Sequence, residues 1–281
     1  AALTKRTLDM LGKMATSEPE KYATFWSQFG AVLKEGPSED HSNREKIAKL
    51  FRFASSSVEG AVPTVSLADY IDRMKEGQDK IYYVTGDSYS VINDSPYLEV
   101  FRKHDVEVLL MSDRVDEWMM GYLTEFDGKS FQDVARGELD LSSITGQTSD
   151  SDSKDKDSKT DNDQHKETVA RINSLLEDRV QEVRVTSRLT DSPACLVVGD
   201  NDMGEQMRKI MEAAGQAVPE SKPILEVNME HPLVSKLGAE SNDEDAARLA
   251  GVLFDQAALS AGRPLENPAK FVQELNKLMF G

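Results

Sequence analysis

Side chains able to do covalent or metal chemistry are few and scattered along this 281-residue chain. The histidines His41, His104, His165 and His231 show none of the i, i+4 pairing that turns two imidazoles toward one metal, and no cysteine cluster accompanies them. Gly128-Lys129-Ser130 imitates the end of a phosphate-binding loop, but that motif needs glycine at position 123, where this chain has Leu123. Asp150 and Asp152 begin a calcium-loop pattern that fails at Lys154, with no glycine to follow. A Ser-His-Asp constellation assembles only in space, and nothing in the spacing points to one. No residue set is expected to be catalytic, and none to bind a metal.

The chemistry that remains is noncovalent contact. Glu117 and Trp118 stand side by side in LLMSDRVDEWMMGYLTEFDGKSF, Leu109–Phe131. Val115, Met119, Tyr122, Leu123 and Phe126 recur there at helical spacing, after Ser112 as a cap and Asp113 and Asp116 in the first turn. Trp118 falls about 100° from Met119 on such a helix. It either covers a flank of the core or serves as an adaptable protein-binding aromatic. Met203, Met207, Ile210 and Met211 occupy i, i+4, i+7 and i+8, which makes one stripe. Methionine fills gaps in cores, yet three methionines in four positions specify a unique packing poorly.

These groups need elements to position them. Residues 1–64 read as a helical coil, with Trp26 among Tyr22, Phe25 and Phe29 on one apolar stripe. Residues 65–143 read as a small αβα subdomain. Ile81–Thr85 and Val106–Leu110 are its strands, joined by a helical stretch from Ser88 to Lys103 that Pro96 interrupts, so they should run parallel. Residues 144–165 carry almost no apolar side chain and read as a disordered acidic linker. Residues 166–281 hold further strands (Val183–Val185, Ala194–Val198, Ile224–Val227) and two strong helices. Leu249, Leu253 and Phe254 lie on the first of these, and Phe271, Val272, Leu275, Leu278 and Met279 on the second. That is more apolar surface than one hairpin buries, and pairing with the hairpin of a second copy would give a four-helix bundle. The expected fold class is α/β in the mixed α+β sense, ending in this dimerisation element.

A net charge of -17 argues against nucleic acid, which calls for clustered Lys and Arg. Cys195 is the single cysteine, which suits a reducing cytoplasm. No apolar run reaches membrane-spanning length. The chain begins inside a helical pattern without methionine, so it is expected to be a fragment.

TFWSQFGAVLKEG (Thr24–Gly36), MKEGQDKIYYVTGDSY (Met74–Tyr89), SDRVDEWMMGYLTEFDGKSF (Ser112–Phe131) and SRLTDSPACLV (Ser187–Val197) together resemble the ninety-kilodalton heat-shock chaperone family, its bacterial branch in particular. The resemblance runs along nearly the whole chain outside the Asp/Ser linker. It implies a V-shaped homodimer of three-domain subunits, of which this chain would be the later part of the middle domain and the C-terminal dimerisation domain. ATP and Mg are cofactors of the full-length family. The nucleotide-binding domain, and the arginine that reaches the γ-phosphate, would precede Ala1, so no cofactor and no hydrolysis are expected of this chain. Non-native client proteins, a second copy and co-chaperones are the implied partners. The family's client-binding surfaces fall here on Glu117 and Trp118, and on Met203, Met207, Ile210 and Met211. A scaffold dimer for one folded partner, and an uncharacterised enzyme with a deep polar pocket, are the competing readings.

Overall fold

A computed structural model of the chain describes residues 2–141, 144, 159–199, 202–218 and 221–280. The described residues form two compact units, residues 1–93 with 105–134 and residues 94–104 with 135–281.

The first unit opens with helices α1 (Ala2–Ser17) and α2 (Pro19–Leu33). Pro19 stands in the first turn of α2, where its missing N–H costs nothing. Tyr22, Trp26 and Gly30 follow at intervals of four and are the buried face of α2. Gly30 has to be glycine, since an added Cβ would sit 2.7 Å from the Trp26 ring. Short helices α3 (Gly36–Glu39) and α4 (Arg44–Ala48) lead to β1 (Ala54–Ser55). Ser66 and Asp69 close a reciprocal capping box at the start of α5 (Leu67–Asp72). Then come β2 (Lys80–Thr85) and α6 (Tyr89–Asn93).

The chain next contributes residues 94–104 to the second unit, including α7 (Glu99–Lys103), before β3 (Leu109–Met111) returns to the first. Pro96 heads a 3-10 turn between α6 and α7, so the helical stretch expected from Ser88 to Lys103 is broken in two. β2 and β3 pair in parallel, Tyr83 opposite Leu109 and Thr85 opposite Met111, as expected of a strand-helix-strand unit.

The helix expected to run on from Ser112 is much shorter. α8 spans only Asp116–Met120, and Phe126 lies instead on β4 (Glu125–Phe126), which turns back into β5 (Lys129–Asp133). Asp127 (φ 48°) and Gly128 (φ 73°) make that turn in the left-handed region, as an Asp-Gly hairpin does. β5 then pairs in parallel with β2, giving a sheet ordered β1-β3-β2-β5-β4. One apolar cluster runs from Leu8 and Trp26 through Phe51 and Tyr70 to Met119 and Phe126.

The second unit has a three-stranded sheet, β6 (Glu182–Val185), β7 (Ala194–Val197) and β8 (Ile224–Val227), with β8 central. The stretch 144–165 lies largely outside the described residues. Helix α9 runs from Lys159 to Leu175. Once Ile172 is fixed in the core, each further residue adds one hydrogen bond at low cost, and the helix propagates into polar sequence. Helix α10 (Glu205–Ala213) precedes β8. After it come α11 (Pro232–Ala239), α12 (Asp243–Ser260) and α13 (Pro268–Phe280). Asn242 caps α12 through the N–H groups of Glu244 and Asp245, and α12 packs on β7 with Ala246, Leu249, Ala250 and Leu253 in the core. The chain is thus a mixed α+β protein. Among the described residues, no helix is long and apolar enough to cross a membrane.

Candidate binding surfaces

Trp118 is half-buried and stands outside the apolar cluster, although Met119 and Met120 beside it belong to that cluster. Its ring meets Tyr122 edge-on, with centroids 5.0 Å apart. Glu117 is also half-buried. A five-residue helix cannot hold this pair in place by its own hydrogen bonds. The anchor is electrostatic. Lys34, at the end of α2 and only 3% exposed, places its Nζ 2.7 Å from both Asp113 and the fully buried Asp116. Asp116 Oδ2 also accepts from the Asp113 N–H at 2.8 Å, closing the turn that leads into α8. The Lys34 ammonium lies over the Phe53 ring, 4.8 Å from its centroid. Burial pushes the Asp116 carboxyl up, against the pull of Lys34. Sequence reading placed Asp113 and Asp116 in a helical first turn and missed Lys34. Nothing local connects residues 79 positions apart.

In the second unit, Met203 precedes the N-cap Gly204 and is not on the helix, so the stripe on α10 is Met207, Ile210 and Met211. Glycine at the cap stops the helix one residue short of Met203. Met203, Met207 and Met211 are half-buried, Ile210 is 43% exposed, and none is part of the unit's apolar core. Gln206 is the buried residue of α10. The polar side faces inward: Glu205 Oε2 lies 3.0 Å from Arg263 Nε, and Lys209 Nζ donates to the Gly262 carbonyl at 3.0 Å.

The residues expected to dimerise divide in two. Leu249, Leu253 and Phe254 on α12 are buried in their own unit's core and present no surface. α13 has no buried residue at all. Phe271, Leu275 and Leu278 are half-buried, while Val272 and Met279 are 53% and 63% exposed. Periodicity could not separate the two helices, because both have strong apolar faces and only the sheet decides which is covered.

A cavity of about 430 Å³ lies between α12 and α13. Within it Arg179 pairs with Asp255 at 2.6 Å and Arg248 with Glu274. An apolar groove of about 370 Å³ between α1 and α2 is lined by Leu11, Phe25 and Phe29. Among the described residues, no group of three or more His, Cys, Asp or Glu side chains is placed to hold a metal ion.

A family model described as Hsp90 protein matches residues 1–280.

Proposed function

The chain belongs to the Hsp90 family, whose members are chaperones, and from that premise we propose that it holds non-native client proteins on two apolar surfaces and works as a homodimer. One surface is Glu117 and Trp118 on α8. The other is Met203 with the Met207, Ile210 and Met211 face of α10. The observation that supports this most is the setting of α10, an amphipathic helix that meets its own unit with polar side chains and leaves its methionine face out of the core.

Unfolded segments offer apolar side chains in no fixed arrangement. Methionine suits them, because its unbranched and polarisable chain adapts to many shapes. Each side chain covered removes apolar surface from water at roughly 25 cal/mol per Å². A net charge of -17 keeps such surfaces from joining one another in the empty protein and favours basic segments as clients. A second copy, paired along the uncovered face of α13, doubles the holding sites and raises their effective concentration for an extended chain. ATP and Mg, and co-chaperones, belong to this proposal as features of the full-length family.

Light scattering of a denatured test protein tests the reading. Trp118→Arg should weaken suppression of aggregation and leave the melting temperature and dimer mass unchanged, because Trp118 stands outside the core. A sharp fall in melting temperature would make Trp118 a core residue and remove the first surface.

A further inference from the structure

Helix α10 does not place its apolar face in the core of its unit. At 100° per residue, Glu205 and Lys209 lie about 40° apart, while Met207, Ile210 and Met211 centre roughly opposite them. Soluble helices bury the apolar side and offer the polar side to water. Here polar side chains meet the body of the protein, and Glu205 and Lys209 do so at one place. That place is the end of α12, where Gly262 (φ 71°) closes the helix and the Arg263 N–H donates back to the Ala258 carbonyl at 2.9 Å. This closure matches a Schellman motif, and the Gly262 carbonyl is left to accept from Lys209 Nζ. Glu205 Oε2 is shielded from solvent without an aligned hydrogen bond, so the charge of Arg263 is what compensates it. Both side chains of this pair are only about one-fifth exposed (20% and 18%), so solvent screens them incompletely. Among the described residues, no apolar side chain of α10 belongs to the apolar cluster at the core of its unit.

We infer that Glu205 and Arg263 are positioning residues for the holding surface: their ion pair, aided by Lys209 on the Gly262 carbonyl, latches α10 to the α12–α13 turn with its methionine face outward. The inference rests on the reading of α10 as a holding surface. It adds how that surface is aimed. Without the latch, α10 would be free to roll its apolar face inward onto the body of its own unit, which is the lower-energy side for an amphipathic helix. Clients would then meet Glu205 and Lys209 instead of Met207 and Met211. The latch also joins the holding helix to the turn that leads into α13, the helix proposed to pair with a second copy.

The test uses the full chain, a denatured test protein in light scattering, and amide hydrogen exchange across residues 205–213. Arg263→Glu sets two like charges together. It should speed exchange in α10 and lower suppression of aggregation about threefold, the scale of a partly shielded ion pair. Melting temperature and dimer mass should not move, since neither side chain belongs to the core. The swap Glu205→Arg with Arg263→Glu should regain slow exchange and most of the suppression. A third variant, Met207→Ser with Ile210→Ser, separates this inference from the reading beneath it. If the serine variant loses suppression while Arg263→Glu changes neither readout, the latch is overturned and the holding surface stands. If Arg263→Glu speeds exchange and the swap does not reverse it, Arg263 acts through some other contact, and the pairing is overturned. If the serine variant suppresses aggregation as well as the parent, the surface itself falls and the latch falls with it.

Discussion

Two carboxylates show how single residues hold this fold to its surfaces. Asp116 is fully buried with Lys34 2.7 Å away, and each compensates a charge that the interior would otherwise expel. Lys34→Met keeps the aliphatic bulk and strands the carboxylate. It should cost about 3–5 kcal/mol by urea denaturation, and much less once Asp116→Asn removes the orphaned charge as well. Equal losses in both backgrounds would mean that the pair is not coupled. Glu99 works differently. Burial pushes its carboxyl up, but hydrogen bonds from Ser192 Oγ and from the N–H groups of Asp191, Thr190 and Ser192 outweigh that and hold it below the usual range. A carboxyl depressed in the folded state contributes stability above its unfolded value of about 4.3, lost as pH falls through the folded value. The stability gap between the parent and Glu99→Gln should therefore shrink on acidification from pH 5 to 3. A constant gap would show that the charge of Glu99 carries none of it.

At the scale of elements, local chemistry was legible wherever it was self-contained. Ser66 and Asp69, Asn242, and Asn267 with Pro268 announce their helices because a cap is a contact within four residues. The strands at Ile81–Thr85 and Ala194–Val197 declare themselves through β-branched and aromatic runs. The stretch after Met120 misleads because Tyr122, Leu123 and Phe126 fit a helix by spacing, while the Asp127-Gly128 turn overrides that spacing. Gly128→Ala tests what that turn requires. No atom lies within 4 Å of the added Cβ, so the cost is that of a left-handed backbone alone, about 1 kcal/mol in thermal unfolding. A loss several times larger would mean that β4 and β5 come apart rather than strain. Pairs across the fold, such as Lys34 with Asp116 or Glu205 with Arg263, could not be read at all. Their residues look like ordinary surface charge until the chain brings them together.

Among the described residues, α13 leaves Val272, Met279 and Phe280 exposed, three of the large apolar side chains that the chain does not cover. Leu253 on α12 is sealed in the core, so Leu253→Ala should cost about 2–5 kcal/mol whatever the oligomeric state. Val272 and Met279 are open, so Val272→Ser with Met279→Ser should leave the melting of each subunit intact and yield a monomer mass in sedimentation. A dimer mass unchanged by that pair would place the interface elsewhere.

Clients are proposed to lie against the methionines of α10. Methyl-labelled methionine spectra, recorded while a permanently unfolded protein is added, read this directly. Met207 and Met211 should shift or broaden, with Met203 beside them, while the buried Met111 and Met119 stay fixed. Signals at Met207 and Met211 that stay unmoved at saturating client would contradict it.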